Sequence, residues 1–361
     1  MPATDRIPIF DGHNDTLTRI RGAEGNGRRS FLDRSSIGHL DLPRAREGGM
    51  VGGFFAIFSR SRRWSWTQVP LLDEQGSPVP EGWAVPLPPK LDRRQADRWT
   101  VAVMSDLFRL VDRAAGEIAI VRTASELSSC IDDGRFAVVL HIEGAEAIDT
   151  RLEALDVLHQ AGLRSLGPVW SRPNAFGHGV PFAFPRHPDT GPGLTPAGRR
   201  LVKRCNELGI MIDLSHLNEQ GFWDVTRISD APLVATHSNA YALCPSPRNL
   251  TDAQLDVIAL SGGVVGLNYA VGFLREDGGH DPTTPIGEIA KHARYIADRI
   301  GVDHVALGSD FDGAVIPEDL GDAAGLQRLV AALGEVGFDE EEVRLIAYRN
   351  WLRVLRKTWG S

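Results

Sequence analysis

Eight short apolar runs, separated by segments of helical periodicity, constrain the fold of this 361-residue chain more than any other feature. Each run has three to six residues and is rich in Val, Ile, Leu or Phe, which is typical of buried parallel strands. The runs are Ile7–Phe10, Gly53–Phe58, Ala137–Ile142, Ser165–Trp170, Ile210–Leu214, Leu233–Thr236, Val264–Asn268 and Val305–Leu307. Eight strands alternating with helices predict an α/β fold, a (β/α)₈ TIM barrel.

The segments between the runs carry helix start and stop signals. Thr195 is a typical N-cap, Pro196 fits the first turn, and Gly209 stands where a C-terminal cap belongs. Asp339 and Glu342 resemble a capping box, which predicts a last helix over Glu340–Lys357. The alternative architecture is an open doubly wound sheet. Its usual Gly-rich phosphate turn is absent after the first run, where Asp11-Gly12-His13-Asn14-Asp15 stands instead.

Composition and charge exclude some classes of binding partner and indicate where the protein is located. The net charge is −8 and no basic tract stands out, so we expect neither nucleic acid nor an anionic membrane as a partner. Three widely spaced cysteines fit a reducing compartment. Met1–Phe10 lacks the apolar stretch of a signal peptide, and no stretch approaches the roughly 18 apolar residues of a membrane span. We therefore expect one soluble, cytoplasmic domain over residues 1–361.

Two long segments interrupt the alternation of strands and helices. Ser59–Arg94 follows the second run and is rich in Pro, Trp and Arg, whereas Arg172–Gly193 follows the fourth and is rich in Pro, Gly and Phe. Loops of this length are usually lids, partner contacts or disordered insertions. Both leave the carboxyl ends of strands, where barrel enzymes place their active sites.

Five of the eight runs deliver a His, Asp or Glu at their carboxyl end. These ends read His13-Asn14-Asp15, Glu143-Gly144, Asp213-Leu214-Ser215-His216, Thr236-His237-Ser238-Asn239 and Ser309-Asp310-Phe311-Asp312. Imidazole and carboxylate together favour zinc or a similar divalent metal. So many donors exceed one tetrahedral site and fit two metals roughly 3.5–4 Å apart. None of the four lysines stands at a strand end to bridge them, so Glu143 is the best-placed bridging ligand.

The same residues resemble the membrane (renal) dipeptidase family of zinc peptidases. The similarity extends from about Asp11 to Trp351 and includes Arg248-Asn249 and Gly308-Ser309-Asp310-Phe311-Asp312-Gly313 in matching order. The resemblance implies a barrel related to the amidohydrolases with two Zn²⁺ per chain, other divalent metals being the alternative. By resemblance, His13 and Asp15 bind one zinc, His216 and His237 bind the other, and Glu143 bridges them.

Further roles also come from the resemblance. Arg248 matches the arginine that holds the terminal carboxylate of the substrate, and Asp310 matches the acidic residue that exchanges a proton with the bridging water or the leaving amine. An alternative for Asp310 is a partner that only orients the ligands. Tyr269 is a candidate pocket wall, with core packing as the alternative.

The chain departs from the family at one position. Where the mammalian enzymes have a histidine that contacts the scissile carbonyl, this chain has Trp170, which donates through its indole N–H but carries no charge. His178, between Gly177 and Gly179, is the proposed replacement, with Arg172 as the other candidate. We therefore assign Trp170 to substrate binding and His178 to catalysis.

The sequence favours a dinuclear zinc dipeptidase. A hydroxide bridging the metals would attack the peptide bond of free dipeptides, including those with a C-terminal D-residue. The alternative is a metal-dependent amidohydrolase or tailoring enzyme of the same family with a non-dipeptide substrate. A third hypothesis, a binding protein without catalysis, conflicts with an intact ligand set. A homodimer is one assembly compatible with these expectations.

Overall fold

In the computed structural model, which describes residues 6–21, 29–61 and 64–360, strands and helices alternate along most of the chain. The strands are β1 (Ile9–Asn14), β2 (Met50–Phe58), β3 (Val69–Leu72), β4 (Pro78–Val85), β5 (Ile118–Ile120), β6 (Phe136–Glu143), β7 (Leu163–Gly167), β8 (Phe182–Phe184), β9 (Met211–Ile212), β10 (Val234–Ala235), β11 (Val264–Leu267) and β12 (Val305–Leu307). Each of the eight apolar runs therefore coincides with a strand, with ends that differ by a few residues.

Helices connect most of these strands. The α-helices are α1 (Thr16–Arg21), α2 (Leu42–Gly48), α3 (Arg93–Arg113), α4 (Ala124–Asp132), α5 (Glu153–Gln160), α6 (Pro196–Leu208), α7 (Glu219–Ile228), α8 (Asp252–Leu260), α9 (Gly287–Ile300), α10 (Leu326–Glu335), α11 (Glu340–Arg344) and α12 (Asn350–Trp359). Short 3₁₀ helices cover Ala145–Ala147, Val271–Phe273, Val302–His304 and Ala323–Gly325. In the part of the chain that the structure describes, no helix is long and apolar enough to span a membrane.

The predicted caps of α6 are confirmed. The Thr195 hydroxyl accepts a hydrogen bond from the Gly198 N–H, and Gly209 ends the helix at a φ of 67°. The capping box of Asp339 and Glu342 and the last helix that it opens are confirmed, but a π-helical turn at Leu345–Arg349 divides this helix into α11 and α12. The turn places Asn350 and Trp351 toward the strands, where both donate hydrogen bonds to carbonyl groups of β12.

The parallel strands form a curled mixed α/β architecture. One sheet has the order β1-β2-β6-β7-β9, with β5 added on β6, and a second has the order β10-β11-β12. Two isolated parallel bridges link these sheets, one between Asp213 and Val234 and the other between Asn14 and Phe311. The carboxyl ends of the parallel strands therefore meet at one side of the molecule.

The two long segments form structure that the sequence did not predict. Segment 59–94 contains β3 and β4, segment 172–193 contains β8, and the three strands pair as an antiparallel sheet in the order β3-β4-β8. Trp83 is opposite Phe184, and Val85 is opposite Phe182. We call this the cap sheet; it lies beside the carboxyl ends of the parallel strands, because Phe182 packs against His216 after β9.

Trp351 is the centre of an apolar cluster inside the parallel strands. It is fully buried, its ring centroid lies 5.1 Å from that of Phe54, and its indole N–H donates to the Leu307 carbonyl. Seven parallel strands contribute to this cluster, β6 with two residues and the others with one each: Phe10, Phe54, Ala137, Val139, Met211, Val234, Val264 and Ala306.

We expect Trp351→Ala to lower the free energy of unfolding by about 3–5 kcal/mol, because the change leaves a large cavity at the point where these strands meet. Denaturant unfolding at equilibrium measures this loss. Trp359→Ala is the matched control, since Trp359 is only partly buried and should cost much less. Equal losses in the two variants would contradict a central role for Trp351.

Candidate metal centre

The five residues assigned as metal ligands come together at the carboxyl ends of the parallel strands. His13 is the penultimate residue of β1, Asp15 follows that strand, and Glu143 ends β6. His216 and His237 lie just beyond β9 and β10. All five are buried.

The Glu143 carboxylate is the centre of this group. Its Oε1 atom lies 3.0 Å from Nε2 of His216, 3.6 Å from Nε2 of His237 and 3.8 Å from Nε2 of His13. His13 Nε2 is also 3.8 Å from Oδ2 of Asp15, and the Nε2 atoms of His216 and His237 are 3.1 Å apart. Nitrogen and oxygen donors therefore converge with spacings that suit ions between them.

The donors divide into groups of three that could each hold an ion. One group is His13, Asp15 and Glu143, and another is Glu143, His216 and His237, so Glu143 belongs to both. A third geometric group joins His13 and His237 to Asp213. Asp213 is a poorer ligand, because its carboxylate already accepts hydrogen bonds from the backbone N–H groups of Ser215 and Thr236 and from the Thr236 hydroxyl.

Unpaired buried atoms test whether these residues fit a metal. Both ring nitrogens of His13 and Oδ1 of Asp15 are buried without a hydrogen-bond partner among the described residues. Leaving such groups unpaired costs roughly 1–3 kcal/mol each, so a folded protein normally satisfies them. A divalent ion bound by imidazole and carboxylate would do so, and the donor set therefore fits zinc.

Neighbouring hydroxyl groups orient two of the imidazole rings. His216 Nδ1 lies 2.7 Å from the Ser171 hydroxyl, and His237 Nδ1 lies 2.8 Å from the Thr236 hydroxyl. A hydrogen bond at Nδ1 fixes the ring and leaves Nε2 to face Glu143, as is usual for metal-binding histidines. The sequence analysis missed these roles, although Ser171 and Thr236 both stand at predicted strand ends.

The electrostatics of the centre follow from its burial. Burial lowers the pKa of His216 and His237 well below the usual value, so both rings are neutral, the form that binds a metal. Burial alone would lower the pKa of His13. The neighbouring carboxylates of Glu143 and Asp15 outweigh this effect of burial and raise the pKa of His13 to about 10. Burial raises the pKa of Glu143 well above its usual value. The buried carboxylates therefore require a compensating positive charge.

Arg248 and Asp310 border the same space. Arg248 is buried, donates to the His237 carbonyl at 3.1 Å, and has an Nε without a hydrogen-bond partner among the described residues. Asp310 accepts a hydrogen bond of 3.0 Å from the Asn268 amide, and burial raises its pKa. The carboxylates of Asp310 and Asp15 both border Gly313, where a methyl group would clash with each of them.

The backbone is strained near these groups. His216 has a φ of 68° and Asp310 a φ of 57°, values in the left-handed region that non-glycine residues rarely adopt. Strain of this kind is retained where the surrounding structure fixes a side chain for a purpose.

Trp170 contacts the metal centre, whereas Arg172 lies behind it. The Trp170 ring is 5.9 Å from that of His216. Arg172 is fully buried and donates to Glu146 at 2.7 Å and to the Ser59 carbonyl at 2.6 Å. These bonds occupy its guanidinium, which stacks on the far side of the site against Trp170 and Phe58.

His178 and Tyr269 are the predicted site residues that the geometry joins least to the ligands. His178 Nδ1 lies 3.3 Å from the Gly193 carbonyl, and no hydrogen bond or ion pair among the described residues links its ring to the five ligands. Tyr269 is fully buried in the main core, with its ring 5.8 Å from Phe311.

Solved structures resemble this chain over almost its full length. A metallopeptidase from Rhodobacter sphaeroides, crystallised with a phosphinate mimic of the dipeptide L-Ala-D-Ala, is 49% identical. The similarity covers 98% of this chain and 100% of that one, with a TM-score of 0.90. The metallopeptidase dipeptidase AC is 48% identical, over 99% of this chain and 100% of that one, with a TM-score of 0.91.

Comparisons with known sequences also find peptidases. Dipeptidase verJ from Clonostachys rogersoniana is 29% identical over 351 residues, which are 97% of this chain and 84% of that protein. The family model "Membrane dipeptidase (Peptidase family M19)" matches residues 3–359. The chain is therefore a hydrolase that belongs to the membrane dipeptidase family of metallopeptidases, peptidase family M19.

Proposed function

We propose that this protein is a dinuclear zinc dipeptidase that hydrolyses free dipeptides, including those with a D-residue at the C-terminal position. The observation that carries the proposal is the position of Glu143, which belongs to two adjacent groups of three potential ligands. His13 and Asp15 complete one group, and His216 and His237 complete the other. The family membership and the dipeptide mimic bound to the Rhodobacter sphaeroides homologue support a dipeptide substrate.

Two zinc ions, when bound, would supply a nucleophile from water near neutral pH and polarise the carbonyl of the peptide bond. The five ligands keep the donor atoms in place, and Ser171 and Thr236 hold the rings of His216 and His237 in one orientation. The buried setting excludes bulk water, which strengthens each electrostatic contact with the substrate. Other divalent metals remain the alternative.

Arg248 is the proposed binding group for the substrate carboxylate. Its guanidinium is buried, and its Nε lacks a partner, so a carboxylate can accept from it without displacing another bond. A planar guanidinium suits bidentate recognition of a carboxylate. Asp310 is the proposed proton carrier, because its pKa is raised by burial and its Oδ2 is held by Asn268.

Which residue takes the role of the family histidine at the position of Trp170 is still a prediction, with His178 proposed and Arg172 as the other candidate. Arg172 is committed to Glu146 and Ser59, so it can act on a substrate only if that ion pair breaks. His178 can act only if its ring leaves the Gly193 carbonyl. A tenfold lower kcat in His178→Ala at unchanged metal content would support the role of His178, which includes movement of segment 172–193.

We also propose that the two parallel sheets form one closed (β/α)₈ barrel within a single domain. The bridges Asp213–Val234 and Asn14–Phe311 would close the ring of β1, β2, β6, β7, β9, β10, β11 and β12. The cluster around Trp351, to which seven of these strands contribute, supports the closure. A soluble cytoplasmic location and a homodimer remain predictions.

A screen of L-L and L-D dipeptides with the zinc-loaded enzyme tests the proposed activity. We expect hydrolysis of free dipeptides at rates typical of enzymes, with two equivalents of zinc per chain. The alternative, an amidohydrolase or tailoring enzyme with a non-dipeptide substrate, is favoured by Trp170 at the position of the family histidine. Full zinc loading without hydrolysis of any dipeptide would support that alternative.

Arg248→Lys is expected to lower kcat/KM for free dipeptides by roughly 10²-fold, because a lysine cannot form the paired hydrogen bonds of the guanidinium. C-terminally amidated dipeptides, which lack the partner charge, should be affected much less. Steady-state kinetics on both substrate series measure this difference. Equal losses on both would show that Arg248 acts on the fold rather than on the carboxylate.

A further inference from the structure

The cap sheet places an aromatic wall beside one end of the metal centre. Phe182 of β8 has its ring 6.2 Å from that of His216, and Trp170 has its ring 5.9 Å from the same histidine. The ring centroids of Trp170 and Phe182 are 5.3 Å apart, so the two side chains also contact each other. Phe182 is held in place because β8 pairs with β4, so both long segments are needed to position it.

The wall continues toward Arg248. Phe182 stacks on Phe273 with ring centroids 6.4 Å apart and planes within 10° of parallel. The guanidinium carbon of Arg248 lies 5.4 Å from the centre of the Phe273 ring. Trp170, Phe182 and Phe273 therefore form a row, which we call the aromatic row, and it leads from His216 to the group proposed to bind the substrate carboxylate.

Among the residues that the structure describes, Arg172 and Arg248 are the arginines that lie against rings of the aromatic row. Arg172 lies 5.2 Å from the Trp170 ring, but its charge is neutralised by Glu146 and it is fully buried. Arg248 stands at the other end and is assigned to the carboxylate. Between them the described part of the row offers aromatic carbon from Trp170, Phe182 and Phe273, which suits an apolar side chain better than a charged one.

We propose that the aromatic row binds the side chain of the C-terminal residue of the dipeptide and selects apolar side chains at that position. The inference rests on the proposed function, since Arg248 must hold the carboxylate of that same residue. Because a side chain and the carboxylate of one amino acid share a Cα atom, the side chain must lie within a few ångströms of Arg248. The aromatic row offers an apolar surface at this distance, because its Phe273 ring lies 5.4 Å from the Arg248 guanidinium.

The test is a panel of dipeptides L-Ala-D-Xaa in which Xaa is Leu, Phe, Asp or Lys. We expect kcat/KM for D-Leu and D-Phe to exceed that for D-Asp and D-Lys by at least about tenfold. A parallel panel that varies the N-terminal residue should show a smaller preference. Equal rates across the C-terminal series, or a stronger preference in the N-terminal series, would overturn the assignment of the row.

The variant Phe182→Ala tests whether the preference for apolar C-terminal side chains depends on the aromatic row. The variant should raise KM for the D-Leu and D-Phe substrates and reduce the apolar preference several-fold, with zinc content unchanged. Trp359→Ala removes an aromatic ring at the opposite ends of the strands, where its indole donates to the Arg164 carbonyl, and should leave the preference intact. An unchanged preference in folded Phe182→Ala would overturn the proposal.

The wild-type panel keeps the inference testable if Phe182→Ala does not fold. The panel also separates this inference from the proposed function. Absence of hydrolysis for every dipeptide would overturn the proposed function, whereas hydrolysis without an apolar preference would overturn the aromatic row alone.

Discussion

Glu143→Gln should reduce zinc binding from two equivalents to one or fewer and lower kcat/KM by at least roughly 10³-fold. The loss corresponds to about 4 kcal/mol, within the range that metal ions contribute to transition-state stabilisation. The physical reason is that an amide has no negative charge and only one acceptor atom. Both groups of ligands would lose their shared carboxylate, whose Oε1 lies within 4 Å of three histidines.

Metal analysis after reconstitution with zinc and removal of excess measures the first effect, and steady-state kinetics measure the second. Glu146→Gln is the matched control, because Glu146 is also buried but is paired with Arg172 instead of the histidines. That control should lower stability while the zinc content of the folded protein is retained. Two equivalents of zinc in Glu143→Gln would exclude Glu143 as a bridging ligand.

The parallel strands and the positions of the candidate ligands could be predicted from the sequence because both depend on local patterns. A buried parallel strand is a short continuous apolar run, and a polar residue at its end necessarily faces the edge where the other strands end. Glu143, His216 and His237 were found in this way, although they are distant in sequence. The structure brings their donor atoms to within 3.6 Å of one another.

The cap sheet could not be predicted, because its pairing is long-range and its strands lack the apolar pattern. β3 and β4 have only half of their residues shielded from solvent and contain prolines, and β4 pairs with β8 across about 100 residues of sequence. Such pairings depend on tertiary packing, here of Trp83 and Phe184 against neighbouring aromatic rings. The sequence therefore predicted long loops where the structure has a sheet.

The hydrogen-bond partners of Arg172 could not be predicted from the sequence either. Nothing local indicates that its guanidinium pairs with Glu146 and the Ser59 carbonyl, since these partners follow two other strands. As a result, Arg172, a candidate for the contact with the scissile carbonyl, is already hydrogen-bonded to Glu146 and to the Ser59 carbonyl. The π-helical turn at Leu345–Arg349 is a further tertiary effect, because it aligns Asn350 and Trp351 with β12.

Asp310→Asn should lower kcat by roughly 10²–10⁴-fold, the usual contribution of a general acid or base, at unchanged zinc content. The substitution suits this position, since asparagine tolerates the left-handed backbone that Asp310 adopts at a φ of 57°. It retains the shape of the side chain and an acceptor for the Asn268 amide, while it removes the site that takes up a proton.

Asp312→Asn is the matched control for this prediction. Asp312 is also buried and left-handed, at a φ of 68°, but its carboxylate accepts from Thr16, Arg29 and the His39 N–H, which stabilises the chain around β1. That variant should lose thermal stability and keep most of its kcat per folded molecule. If Asp310→Asn instead loses zinc and less than tenfold in kcat, Asp310 only orients the ligands. The proton must then leave through a group other than the neutral His216 and His237 rings, because their Nδ1 atoms are already held by Ser171 and Thr236.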